Sequence, residues 1–251
     1  MLSGKVVLVS GGTSGVGAAA ARAAVRAGAQ VVVTGRRREQ GAKVAADIGA
    51  RYLPCDVADT DRITATVEAV VDEYGRVDAL LNAAGLTDRG SLLDTTPALF
   101  DRHIAIDLRG PFFLMQAVVR DMLRREAPGT IVNIGSEQAH GGAPTLAPYA
   151  AAKAGLAALT KNVAHAHRFD RIRVNQLNIG WTDTDGEDRT QRTFEGAGDD
   201  WRDRAAARLP AGRLGDPDEI ADMIVLLLSD RSGVVTGSVV DWDQAVIGTH
   251  D

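Results

Sequence analysis

Short apolar runs recur along the chain, each followed by a longer stretch in which apolar residues return at helical spacing. The runs are "KVVLV" at 5–9, "QVVVT" at 30–34, "RYLP" at 51–54, "DALLN" at 78–82, "TIVNI" at 130–134, "IRVNQL" at 172–177 and "GSVVD" at 237–241. Strands covered on both faces read this way, whereas a half-solvated strand alternates. Between them, Ile63, Val67, Val70, Val71 and Tyr74 form one helical stripe, and Ile220, Met223, Ile224 and Leu227 form another. The second stripe opens with "DPDE", in which Asp216 is a cap, Pro217 suits the first turn and Glu219 completes a capping box. The alternation predicts an α/β fold, a doubly wound (Rossmann-type) parallel sheet of about seven strands flanked by helices, with right-handed crossovers.

No Pro/Gly/Ser linker, repeat or low-complexity block divides the chain, so residues 1–251 are expected to form one domain. One stretch breaks the rhythm. Residues 181–215, "WTDTDGEDRTQRTFEGAGDDWRDRAAARLPAGRLG", are polar and charged and lack a strand pattern. They read as a helical lid over a ligand site or as a solvated surface arm.

Bulk properties narrow the class. Hydrophobic residues are 45% and charged residues 24%, a globular balance, and the net charge of −5 argues against nucleic acid or an anionic membrane as partner. The longest strongly apolar run, 223–228, is far short of the roughly 20 residues a membrane span needs. The N-terminus runs directly into a strand with no charged leader. A lone Cys55 excludes an intrachain disulfide and a thiolate metal cluster. His165 and His167 alternate on a helix and share no chelating face, so no metal is expected. Cytoplasm is therefore the default expectation.

"SGGTSGVG" at 10–17 lies where the first strand must turn into an alanine-rich helix. Gly11, Gly15 and Gly17 allow a tight turn and close backbone approach, Thr13 and Ser14 bring hydroxyls, and Val16 opens the helix, whose free N–H groups favour a pyrophosphate. The second strand ends "VVVTGRRR". A carboxylate there would hold the ribose hydroxyls of NAD, whereas an arginine accommodates the 2′-phosphate of NADP. Gly35 and then Arg36, Arg37 and Arg38 occupy the place, so NADP is preferred with NAD possible, and Arg36 is the first candidate; a solvated basic helix start is the other reading. Further on, "YAAAK" at 149–153 sets Tyr149 one helical turn before Lys153, on one face.

With these features the chain resembles the short-chain dehydrogenase/reductase family over nearly its whole length. The residues carrying the resemblance are the loop glycines, "CDV" at 55–57, "LNAAG" at 81–85, Ser136 with Tyr149 and Lys153, "RVNQLNIGWTDT" at 171–184 and "VVTGSVVDWD" at 234–243. The resemblance implies that Asp56 contacts the adenine with Val57 beside it. It also implies that Asn82, Ala83 and Gly85 line the cofactor, and that Gly180, Thr182 and Thr184 face the nicotinamide and its phosphate. It favours a homotetramer or homodimer. The activity implied is hydride transfer between nicotinamide and a secondary alcohol or ketone. Tyr149 would be the general acid or base, its phenol made more acidic by Lys153, which would also hold the nicotinamide ribose. Ser136 would hydrogen-bond the substrate oxygen.

Three positions depart from the family pattern. Asp107 stands among the catalytic residues where an asparagine is usual, and an ionised carboxylate there would weaken the effect of Lys153 on Tyr149. Ala83 replaces the second asparagine of the fourth-strand motif, and Ile179 replaces a proline. Gln138 and Tyr149 are expected to contact substrate, and His140 either lines the same pocket or serves its loop. With the charged residues of 181–215 they suggest a small sugar- or polyol-like substrate. A cofactor-sensing or scaffolding relative with weak catalysis is the alternative.

Overall fold

The computed structural model describes residues 1–246; the last five residues of the expected domain, 247–251, lie outside the described residues. All seven expected strands form: β1 (Val6–Ser10), β2 (Gln30–Gly35), β3 (Arg51–Pro54), β4 (Ala79–Asn82), β5 (Gly129–Ser136), β6 (Ile172–Ile179) and β7 (Val239–Trp242). They make one parallel sheet in the order β3-β2-β1-β4-β5-β6-β7. The chain winds outward from β1 to β3, then returns to place β4 on the other side of β1. That reversal opens a crevice at the carboxyl ends of β1 and β4, where such sheets receive ligands.

The apolar runs are continuous because the strands are buried on both faces. Val7, Val9, Val31 and Val33 point to one core, beneath the buried alanines of α1 (Gly15–Arg26) and the apolar stripe of α9 (Pro217–Leu228). Their neighbours Val6, Leu8 and Val32 point to the other. That second core is closed by α3 (Thr60–Tyr74, after α2, Arg38–Ile48), by α5 (Gly110–Arg124) and by α6 (Ala147–Ala166). Side-chain alternation along each strand thus feeds two helical layers.

Asp216 caps α9 by accepting from Asp218 N at 2.8 Å, and Pro217 takes the first turn. The expected capping box is corrected: the Glu219 carboxylate pairs with Arg213 at 2.9 Å, a longer-range partner that competes with the local one. Two strand ends also run further than the apolar pattern, through Ser136 on β5 and Ile179 on β6, because Gly135 and Ser136 still pair with Asn178 and Ile179. Ser136, expected just after the fifth strand, is therefore its last residue.

A row of amides crosses the middle of the sheet. Asn82 Nδ2 donates to Asn133 Oδ1 at 2.8 Å, Asn133 Nδ2 to Thr160 Oγ1 at 2.9 Å, and Gln176 Nε2 to Asn178 Oδ1 at 2.7 Å. Buried polar groups need such partners, and Gly135 leaves room for them: a Cβ there would sit 2.0 Å from Asn178 Oδ1. Among the described residues no helix is long and apolar enough to cross a membrane.

Candidate active site

A cavity of about 1070 Å³ opens at the carboxyl edge of the sheet. Its floor begins with the glycine loop, where Gly11, Thr13, Ser14, Gly15, Val16 and Gly17 all line the space. Gly11 has φ +74°, and a Cβ on it would lie 2.5 Å from Ala84 N. A Cβ on Gly17 would lie 2.3 Å from the Gly11 carbonyl oxygen. Side chains here would fill the cradle and part the loop from β4. The Ser14 side chain makes no cap to α1, which leaves the helix N–H groups open toward the cavity.

Beyond the loop, Gly35, Arg36 and Arg37 reach the cavity, while Arg38 starts α2. Arg37 donates to Ser14 Oγ at 2.7 Å. Burial, then repulsion from Arg189 and Arg36, pushes the Arg37 guanidinium below its usual range, with Asp185 opposing. A cluster of cations that repel one another suits an anion. Asp56 and Val57 line the same side, and one Asp56 oxygen accepts from Ala58 N at 3.0 Å. Ala83 and Gly85 line the wall below β4.

Ser136, at the end of β5, accepts from Gln138 N at 3.2 Å, which shapes the tight turn over Glu137–His140. α6 carries Tyr149 and Lys153 to the same wall. Lys153 Nζ donates to the Ile134 carbonyl at 2.9 Å and lies 5.6 Å from the centre of the Tyr149 ring. Burial pushes the Lys153 ammonium below its ordinary value, and the Asp107 carboxylate works against that. The Tyr149 phenol is pushed up by burial and then by Asp107, while a hydrogen bond with Ser136 pulls it back and Glu187 and Glu137 add to the rise. The phenol is thus a weaker acid here than a free one, opposite to the acidifying effect expected of Lys153, because burial and Asp107 outweigh it.

Ile179, Gly180, Thr182 and Thr184 form the far wall. The absence of proline at 179 leaves the turn intact, because Thr182 Oγ1 donates to Gly180 O at 2.9 Å and Gly215 N to Trp181 O at 2.8 Å. Two short helices, α7 (Asp185–Phe194) and α8 (Trp201–Ala206), lie in the segment that follows, and Glu187, Arg189, Gln191 and Glu195 face the cavity. Across it, Arg89 meets Glu195 at 2.7 Å and Glu187 at 3.9 Å.

Three expected site residues do not line this cavity. Asn82 is buried in the amide row, with its Oδ1 lacking a partner. His140 turns to Asp241, 3.0 Å from its Oδ1, so the loop role is the one the structure gives it. Asp107, fully buried, lies behind Lys153 with Oδ1 3.7 Å from Nζ. Sequence reasoning missed His103, whose Nδ1 is 3.0 Å from Asp107 Oδ2 and whose ring packs edge-on to Tyr149 at 6.0 Å. Four residues separate His103 from Asp107, the same spacing that drew attention to Tyr149 and Lys153. It also passed over Arg89, whose partners are far away in sequence.

A family model described as enoyl-(acyl carrier protein) reductase matches residues 11–245. The chain is 35% identical to a 3-oxoacyl-(acyl-carrier-protein) reductase of Thermotoga maritima, covering 98% of this chain and 99% of that protein. It is 34% identical to an L-rhamnose 1-dehydrogenase (NAD(P)(+)) of Azotobacter vinelandii, covering 95% and 94%. Among solved structures, a variant of the actinorhodin polyketide ketoreductase with NADPH superimposes with a TM-score of 0.89 at 31% identity, over 96% of both chains.

Proposed function

Since the chain belongs to the short-chain dehydrogenase/reductase family and is an oxidoreductase acting on CH–OH groups, we propose that it interconverts a small, polar secondary alcohol and its ketone with NADP(H) in preference to NAD(H). The observation that carries this reading is the convergence of Ser136, Tyr149 and Lys153 on one cavity with the glycine loop. The cradle fits a dinucleotide, because Gly11 and Gly17 leave room that any Cβ would take. Nicotinamide supplies or accepts the hydride when bound; the proton and the orientation come from the chain.

In reduction Tyr149 Oη gives its proton to the carbonyl oxygen, and Ser136 Oγ donates a hydrogen bond to that oxygen as charge develops on it. Lys153, close to the Tyr149 ring, favours the phenolate left behind. In oxidation the proton returns to Tyr149. Arg36 and Arg37 would take the 2′-phosphate in a bidentate grip, with Asp56 and Val57 beside the adenine. Gly180, Thr182 and Thr184 would face the nicotinamide, and the segment 181–215 would cover the substrate. The relative that acts on L-rhamnose supports a sugar- or polyol-like substrate, as do Gln138 and Gln191 at the cavity wall. Exposed Leu92, Leu93, Phe100 and Phe112 support a homo-oligomer, a tetramer or a dimer, testable by light scattering. A buried, unpaired Cys55 suits the cytoplasm.

The test is an absorbance screen of sugars, polyols and ketones with NAD and NADP in parallel. Turnover is expected to favour NADP and to vanish in Tyr149→Phe with cofactor binding retained. Equal efficiency with NAD would overturn the reading of Arg36 and Arg37; full activity in the variant would overturn the role of Tyr149.

A further inference from the structure

Asp107 and His103 are both fully buried. His103 ends α4 (Pro97–His103), and Asp107 lies in the wide π-helical turn that follows, Ile104–Arg109, closed by Gly110 N to Ala105 O. Pro111, next in the chain, has no N–H to offer the carbonyl of Asp107, which favours a widened turn there. Such turns cluster at functional sites.

The hydrogen bonds fix how many protons the pair holds. His103 Nε2 is 3.1 Å from the carbonyl oxygen of Asp88, which can only accept, so Nε2 carries a hydrogen. His103 Nδ1 is 3.0 Å from Asp107 Oδ2. Two bare lone pairs at that distance would repel in an unsolvated interior, so a second proton lies between them. Whether it belongs to nitrogen or oxygen, the charges of the two side chains sum to zero. Asp107 Oδ1 keeps its acceptor role toward Leu86 N at 3.0 Å, and faces Lys153 Nζ at 3.7 Å.

From this we infer that His103 is the positioning residue that lets an aspartate serve at position 107: it neutralises and orients Asp107, so the charge of Lys153 remains available to Tyr149. This rests on the role assigned to Tyr149 under Proposed function. The sequence-based expectation that an ionised Asp107 opposes Lys153 considered the carboxylate without this partner, and as a bare carboxylate it does push the Tyr149 phenol up. Other charges near the pair are accounted for. The Asp88 carboxylate is held by Arg102 at 3.1 Å, Lys153 is the one cation of α6 that faces Asp107, and Glu137 and Glu187 act on Tyr149 from the cavity.

Removing His103 leaves a bare carboxylate beside Lys153 and Tyr149. In His103→Gln, the pH at which alcohol oxidation reaches half its alkaline plateau is expected to rise by about 1–2 units, the effect of one added negative charge at this range. Asp107→Asn in the same chain removes that charge and returns the profile to the wild-type position. A second readout needs no turnover: in the cofactor-free protein, a downfield proton resonance for the His103–Asp107 hydrogen bond is expected. It disappears in each single variant. A His103→Gln profile coincident with wild type, no rescue by Asp107→Asn, or absence of the resonance from the wild-type protein overturns the inference. If wild type turns over no alcohol or ketone, the proposed function fails instead, and the resonance still decides the state of the pair, even should His103→Gln fail to fold.

Discussion

Gly17→Ala tests the cofactor cradle through one close backbone contact. The φ of Gly17 is one any residue can adopt, so an added methyl group acts through contact alone. A carbon and a carbonyl oxygen sit comfortably at about 3.3 Å, so a Cβ placed 2.3 Å from Gly11 O forces a parting of about 1 Å. The obstruction is backbone, with the Ala83 Cβ close behind at 3.3 Å, so no flexible side chain can swing aside. Overpacking of this kind costs about 1–3 kcal/mol of stability, or about 2–4 °C of Tm per kcal/mol for a chain of this size. A displacement of about 1 Å at a phosphate cradle costs on the order of 100-fold in function. The control is Gly4→Ala, with φ +72° and nothing within 4 Å of the new Cβ; its cost is left-handed strain, about 1–2 kcal/mol. Melting curves and NADPH fluorescence titrations of both variants are the assay. Both are expected to lose stability, and only Gly17→Ala to lose about two orders of magnitude in NADPH affinity. Affinity within a few-fold of wild type would refute the claim that Gly11 and Gly17 must touch for the cofactor to bind.

Two further changes test other joints. Burial pushes the Asp121 carboxyl up, but the N–H of Val77 and the guanidiniums of Arg124 and Arg125 outweigh it and hold the group below its ordinary range. A depressed folded value means that its stabilisation is complete above the unfolded value of about 4 and drains away as pH falls below it. Asp121→Asn is expected to cost about 2 kcal/mol at pH 7 and to lose less further stability than wild type on acidification, read by urea melts at both pH values; parallel losses would refute the linkage. Arg89→Ala cuts the bridge from the loop after β4 to Glu195 and Glu187. It is expected to raise KM about 2–5-fold with kcat nearly unchanged, in keeping with a partly exposed ion pair worth about 1 kcal/mol or less, and a fall in kcat alone would place Arg89 in the chemistry instead.

Why some of this was legible in the sequence and some was not has a physical basis. Strands covered on both faces must be apolar at every position, so Val6–Ser10 and Gln30–Gly35 announced themselves. The ends of β5 and β6 did not, because their last residues are held by pairing and amide bonds rather than by apolar burial. Asn82 was expected at the cofactor, yet adjacent strand residues face opposite ways, and its side chain joins the amide row while Ala83 and Gly85 line the cavity. His103 and Asp107 share a spacing that is common on solvated helices. Only the packing that buries both side chains, with Nδ1 3.0 Å from Oδ2, sets this pair apart.

The charged composition of 181–215 bears differently on substrate choice once its contacts are traced. Asp188 accepts from Trp201 Nε1 at 2.8 Å and meets Arg192 and Arg202 at 3.0 Å, while Arg202 also reaches Asp183 at 2.8 Å. The Trp201 hydrogen bond first, then Arg192, bring the Asp188 carboxyl down to about 2. Glu187 is likewise engaged, by Trp181 Nε1 and Gln191 Nε2, each at 2.8 Å. Most of these charges therefore hold the segment's own helices together, so their number is no measure of the substrate's polarity. The rest of the cavity wall is mixed: the hydroxyls of Thr87 and Thr145, the apolar surfaces of Leu146 and Trp181, and the charged groups of Glu137 and Arg208. Any case for a polyol-like substrate therefore rests on groups other than the charges of 181–215.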